Sequence, residues 1–317
     1  MRLRRVQAGI FLGSLFTLGV SFFAPGARTE NRVALRPTFA AGQVFRYSIR
    51  VQQITVNITD SSVHIPTPST PAKISFQVNL RAEIVAASGG PGGETKLHTQ
   101  FESQDPSAEQ PAVDCTLHAD GTVTNVAGLE KLPIELQIAW RSWIARFGTF
   151  AVVPKNGVKP GAKWDFEEKE DAPSPIDGLY WIKKFEYAQD APCPPAELPS
   201  ATTASPNEAA CAVLQSISTL RQKSSPKDAT PADYKLRNMR TSGTADGTNQ
   251  VFTYISLQTG LVVRATEDAK QAMNVHVELT NGNNSVRYNM SSTSHVEIAL
   301  LPPASAAQSA PASPSQR

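Results

Sequence analysis

Ile74-Ser75-Phe76-Gln77-Val78-Asn79-Leu80-Arg81-Ala82-Glu83-Ile84 alternates apolar and polar side chains without interruption. A repeat of two belongs to a strand with one face in a core and the other in water, whereas a helix would repeat every 3.6 residues. Upstream, Phe45, Tyr47, Ile49 and Val51 alternate in the same way. The apolar phase then slips to Ile54, Val56 and Ile58, which predicts a β-bulge near Gln52-Gln53. Residues 61–72, with Pro66, Pro68 and Pro71, read as the connecting loop.

The pattern continues downstream. Gly89-Gly90-Pro91-Gly92-Gly93 is a turn, and the next strand carries Leu97 and Phe101. Residues 112–119 form another strand, with Cys115 on its apolar side. Asp120-Gly121 then turns the chain into Thr122–Val126 as a hairpin. Past Pro160-Gly161, strands are predicted at 163–168, 179–189, 211–222 and 234–243. Residues 249–300 read as a four-stranded meander with turns at Thr259-Gly260 and Asn281-Gly282.

One stretch departs from period two. Leu136, Trp140, Trp143, Ile144 and Phe147 recur every three or four residues, with Arg141 and Arg146 elsewhere on the wheel. This spacing predicts an amphipathic helix over 134–147, with Pro133 at its start. The expected fold class is therefore α+β and mostly antiparallel: a curved or open-barrel sheet packed on one amphipathic helix.

Two patterns occur twice in the same order. Gly42-Gln43-Val44-Phe45-Arg46-Tyr47 parallels Gly161-Ala162-Lys163-Trp164-Asp165-Phe166, and Asp120-Gly121-Thr122-Val123 parallels Thr259-Gly260-Leu261-Val262. They suggest two similar β-rich halves, 28–150 and 151–301, the second carrying a Pro-rich insertion at 193–211. Residues 302–317 are rich in Pro, Ala and Ser and read as a disordered tail.

The N-terminus carries a different signal. Arg2, Arg4 and Arg5 precede the uncharged apolar run 8–23 (AGIFLGSLFTLGVSFF), and Ala24-Pro25-Gly26-Ala27 follows it. This is the three-part pattern of a secretory signal, read as residues 1–27. An uncleaved anchor and a buried N-terminal helix are the alternatives, and membrane contact is expected only for the anchor. Formal net charge is +2, and losing the three Arg would bring it to −1. No run of Lys and Arg interleaves with aromatics, so nucleic acid is not an expected partner.

An oxidising destination gives the cysteines meaning. Cys193 and Cys211 bracket a loop of Pro, Ala, Ser and Thr, and a disulfide between them is expected, with two free thiols as the alternative. Cys115 reads as a buried inert thiol.

Catalytic and metal signatures are not apparent. His64, His98, His118, His276 and His295 form no H-x-x-x-H or H-E-x-x-H spacing. His118 and Asp120 read as a solvent-facing strand residue beside a turn, and His276 and His295 take the wet phase of their strands. Glu167, Glu168, Glu170 and Asp171 read as a solvated edge. No catalytic residue, metal site or cofactor is assigned. Trp140, Trp143 and Phe147 are the candidate ligand-binding residues, since paired Trp rings can cap an apolar cavity or meet a partner; packing of the helix on its own sheet is the competing reading.

The Gly-x-x-aromatic lead-ins, the D-G-x-V hairpin, the Trp helix and the P-G-x-x-W strand together resemble a broad group of exported bacterial proteins. In these, long antiparallel strands curl around a helix, as in periplasmic lipoprotein carriers of the LolA type. The resemblance spans roughly residues 35–300 and implies a curved sheet with an apolar concave face. It transfers no functional residue. The expected function is a non-catalytic exported envelope protein that binds an apolar ligand or a protein partner. A secreted hydrolase and a structural or assembly component of the envelope are the alternatives.

Overall fold

The computed structural model describes residues 32–61, 72–89, 93–102, 110–170, 174–195, 210–281 and 284–302. The expected signal segment, the Pro-rich loop at 62–71, most of the 193–211 insertion and nearly all of the tail lie outside these residues.

Strict alternation yields very long strands. In chain order they are β1 (Val44–Ser61), β2 (Ala72–Gly89), β3 (Thr95–Phe101), β4 (Ala112–Leu117) and β5 (Val123–Ala127). After helix α1 (Ile134–Gly148) come β6 (Lys163–Lys169), β7 (Leu179–Pro192) and β8 (Ala210–Gln222). A five-residue helix, α2 (Ala232–Leu236), precedes β9 (Met239–Ser256), β10 (Val262–Leu279) and β11 (Ser285–Leu301).

All eleven strands form one antiparallel sheet in the order β5-β4-β3-β2-β1-β11-β10-β9-β8-β7-β6. Every neighbour is sequential except β1–β11, where the end of the chain returns beside its beginning. The sheet is not closed: β5 and β6 are its edges, and α1 lies in the connection between them. The fold class is the expected one, a mostly antiparallel α+β fold with an open curved sheet.

Three strand predictions need correction. Pairing of β1 runs in unbroken register with both neighbours, so there is no bulge at Gln52-Gln53. Ile54 and Val56 therefore point to the face opposite Phe45, Tyr47, Ile49 and Val51. The strand predicted at 234–243 is split: its first residues form α2 and the rest opens β9. The meander has three strands rather than four, because β10 runs unbroken through the expected connection near residue 270.

The repeated lead-ins have matching backbone geometry. Gly42 and Gly161 both have positive φ, which an L side chain adopts only under strain. Gly42 N–H donates to Ala86 O and Ala86 N–H to Gln43 O; Gly161 N–H donates to Tyr187 O and Tyr187 N–H to Ala162 O. The partner strand slips register just afterwards in each case, at Ala86/Ser88 and Tyr187/Gln189.

The core sits at one end of one face. Trp140, Trp143, Ile144 and Phe147 of α1 pack on Phe45, Tyr47 and Ile49 of β1, Ala82 and Ile84 of β2, and Leu97, Cys115 and Ile298 of neighbouring strands. Without a side-chain N-cap, α1 is held mainly by this apolar stripe. A smaller cluster of Ile176, Leu179, Leu220, Ala229, Ala245 and Val275 closes the far end of the β7–β10 side. Residues Arg32–Arg317 form one compact unit, and its described core begins at Leu35.

Candidate functional site

The face that carries α1 changes character along the strands. Under the helix it is sealed: Trp143 is 1% exposed and Phe147 0%. The Trp143 ring lies 5.0 Å from Phe147 and 5.7 Å from Tyr47. The buried Tyr47 hydroxyl donates to Val262 O at 2.7 Å, tying β1 to β10. Burial pushes that phenol well above its usual range. The candidate residues Trp140, Trp143 and Phe147 thus fill the space beneath α1 with their own side chains.

The indole N–H groups of Trp140, Trp143 and Trp164 are buried without an acceptor among the described residues. Each such donor costs about 1–3 kcal/mol, offset by the large ring area removed from water. Their burial is therefore an apolar packing solution with a polar residue of cost.

A polar margin ends the sealed zone. Arg146, near the C-terminus of α1, pairs with Glu267 of β10, their side chains 9% and 15% exposed. Arg146 Nε also donates to Ser142 O at 3.0 Å, and Asn249 Nδ2 donates to Glu267 Oε1 at 2.7 Å. A cation in the last helical turn also suits the helix dipole. On β1 and β11 the margin continues as Gln53, Thr55 and Ser292, mutually hydrogen-bonded at 3.1–3.3 Å.

Alongside this margin, on β2, Leu80, Val78, Phe76 and Ile74 stand in register with Ile49, Val51, Gln53 and Thr55; the first three are part-buried against the core, and Ile74 is 61% exposed. Met290 of β11 lies on the same face, paired with Met273 of β10, which packs against the smaller cluster at the far end. The strip on β2 therefore combines apolar side chains with a hydrogen-bonding border. The alternation at 74–84 locates it, although sequence alone does not reveal that α1 stops short of Ile74.

The opposite face is wet. A hollow of about 830 Å³ there is lined by Arg50, Gln52, Gln77, Asn79, His295 and Glu297, among others. Its charges are largely paired: Arg46 with Glu83 at 2.6 Å and Arg50 with Glu297 at 3.3 Å. His295 Nδ1 meets Asp268 at 2.8 Å and Nε2 faces Glu297 at 3.7 Å. The hydrogen bond to Asp268 raises the His295 pKa against a smaller opposing effect of burial.

No family model matches this chain, and no curated protein matches its sequence.

The remaining titratable candidates are dispersed. His98 pairs with Asp114 at 2.7 Å, and His118 meets Glu94 at 3.2 Å and Thr124 at 2.8 Å. The Asp120 carboxylate accepts from the Thr122 backbone and hydroxyl, which lowers its pKa. Glu167 pairs with Lys223, Glu168 with Lys183, and Glu170 accepts from Trp181. Among the described residues, no group of three or more His, Cys, Asp or Glu is placed to hold a metal ion.

Cys193 and Cys211 are disulfide-bonded, their Cα atoms 4.9 Å apart. The bond closes the insertion at the end of the β7–β8 ladder, where Ala191 pairs with Cys211. It is compatible with an oxidising, exported location. Cys115 is buried beneath α1, and burial, helped by Asp114, pushes its thiol up to about 12.

Proposed function

We propose that this is a non-catalytic, exported protein of the cell envelope that holds an apolar chain on the uncovered part of its helix-bearing face. The observation that carries the reading is the contrast along one face. The side chains at the α1 end fill their own space, whereas Ile74 on the same face is 61% exposed and its neighbours Phe76 and Val78 are only part-buried. Removing such side chains from water is favourable by about 25 cal/mol per Å², which an acyl chain along β2 would supply. The hydroxyl and amide groups of Gln53, Thr55 and Ser292 would border its polar end.

Export, to the periplasm or beyond, belongs to the same proposal. It draws on the basic and apolar N-terminal segment and on the Cys193–Cys211 bond. So does the resemblance to periplasmic lipoprotein carriers carried by the Gly-x-x-aromatic lead-ins, the D-G-x-V hairpin, the Trp helix and the P-G-x-x-W strand. A protein partner is favoured by a separate observation. β5 and β6 are unpaired edges, and an open edge can accept another strand, although Lys163, Asp165, Glu167 and Lys169 blunt β6 with charge.

Titration with a fluorescent long-chain fatty acid tests the apolar reading. Saturable binding is expected, weakened at least about tenfold by Val78→Asp, which places a charge in the path of the chain. Absence of saturable binding, or binding indifferent to Val78→Asp and Phe76→Asp, would reject it.

A further inference from the structure

The two strands beside β2 differ greatly in reach. β1 flanks most of it, pairing without a break from Val44 with Val85 to Asn57 with Ala72. β3 covers only its second half, from Ala82 with Phe101 to Gly89 with Thr95. Among the described residues, no strand pairs with Ala72–Leu80 on the β3 side. That half of β2 is therefore a sheet edge within the strand order, about 30 Å long at 3.4 Å per residue.

In an antiparallel ladder, successive residues turn their N–H and C=O groups to opposite sides. Ala86 faces β1: its N–H donates to Gln43 O, and its carbonyl accepts from Gly42 N–H. Arg81 faces the other way, its carbonyl accepting from Glu102 N–H at 3.0 Å. Carried down the unbroken register, this alternation aims the backbone groups of Lys73, Ser75, Gln77 and Asn79 at the open edge. Those of Ile74, Phe76, Val78 and Leu80 point to β1.

Sheet edges are normally blunted by charge, Pro, a bulge or brevity. β6 carries Lys163, Asp165, Glu167 and Lys169, and β5 is five residues long with Asn125 at positive φ. The β2 edge has neither Pro nor Gly, and its charges stand only at the ends. On the wet face, the exposed Lys73 and Arg81 bracket Ser75, Gln77 and Asn79, with no acidic side chain between them. On the helix-bearing face stand Ile74, Phe76, Val78 and Leu80.

We propose that this edge accepts an added strand from another polypeptide: an extended segment of about seven residues, apolar at every second position, with a carboxylate at each end. Its backbone pairs with Lys73, Ser75, Gln77 and Asn79. Its apolar side chains lie beside Ile74, Phe76 and Val78 as cross-strand neighbours. One carboxylate sits opposite Lys73, and the other, opposite Asn79, is a diagonal step from Arg81. The added strand lies in line with β3 and covers neither face. The proposal is separate from the acyl-chain reading and does not depend on it.

Backbone amide exchange, followed by NMR, tests it on the chain from Arg32 onward, which contains the whole described core. The probe is the capped peptide Glu-Val-Thr-Val-Thr-Val-Glu. In the free protein, the amides of Ser75, Gln77 and Asn79 should exchange at least about tenfold faster than those of Phe76 and Val78. Saturating peptide should slow the first set at least about tenfold and leave the second unchanged. Ser75→Pro removes an edge-facing N–H and no bond to β1. It should weaken the peptide at least about tenfold while melting and fatty-acid binding stay as they were; Gln77→Pro serves if Ser75→Pro melts early. Lys73→Glu should weaken the peptide as well. Uniform protection along β2 in the free protein, no protection by the peptide, or affinity indifferent to both the Pro and the Lys73→Glu variants would overturn the proposal. So would a dimer that Ser75→Pro dissolves and that excludes the peptide, which would assign the edge to a second copy of the chain.

Discussion

The two ends of the helix-bearing face are built from the same strands and the same alternating pattern, yet they do opposite things with it. At the α1 end, Tyr47, Ile84, Trp143 and Phe147 interlock and are 0–1% exposed. Toward the other end, β2 presents Val78 and Phe76 part-buried and Ile74 exposed, with no described helix above Ile74. The difference is one of length: α1 spans 15 residues, about 22 Å at 1.5 Å per residue, while β2 has 18 residues and extends about 60 Å. A single amphipathic helix therefore cannot seal a sheet of such strands, and the Arg146–Glu267 pair marks where sealing stops.

Substitutions should separate the two ends sharply. Trp143→Ala should destabilise by about 3–5 kcal/mol in denaturant titration, through lost transfer energy and a cavity beneath α1. Ile74→Ser, on the same face, should change stability by less than about 0.5 kcal/mol. Comparable losses at both positions would break the comparison.

Glu267→Ala should cost about 3 kcal/mol, because it leaves Arg146 charged and largely dry. Replacing both partners, Glu267→Leu with Arg146→Met, should recover most of that loss. Trp140→Phe should cost less than about 1.5 kcal/mol, since the indole N–H it removes has no acceptor among the described residues. The smallest effect is on the wet face. The His295 pKa is raised in the folded chain, so the contribution of its pair with Asp268 is full below about pH 6.5 and is lost as pH rises through the raised value. At an exposed pair this should amount to less than about 1 kcal/mol between pH 5 and 8, and His295→Gln should flatten that slope.

Much of this was legible in the sequence. Alternation at 74–84 and the 136–147 spacing named the sheet, the helix and its inward residues. Cys193 and Cys211 announced their bond. The β1 bulge failed for an instructive reason: the slip to Ile54 and Val56 was read as a defect to be corrected by the backbone, on the premise that apolar side chains stay on one face. Unbroken pairing with β2 and β11 overrides that premise and leaves the apolar groups outside. The split of 234–243 was missed because Pro231 starts a helical turn that a short apolar pattern cannot distinguish from a strand. The strip on β2 was legible as an apolar face, but its openness depends on where α1 lies in three dimensions. Trp140, Trp143 and Phe147 stood out by composition, and they are packed as core.

The most direct test of the contrast compares two thiols on one face. In a Phe76→Cys chain, the introduced thiol lies on the uncovered strip, the native Cys115 lies beneath α1, and Cys193 and Cys211 are engaged with each other. Labelling rates with a thiol reagent, with and without a saturating long-chain fatty acid, read both ends at once. The expected result is rapid labelling at position 76, slowed at least about tenfold by the fatty acid, with Cys115 unlabelled throughout in the native state. Labelling of Cys115 at a comparable rate, or a rate at position 76 indifferent to the fatty acid, would contradict the division of this face into a sealed core and an open binding strip.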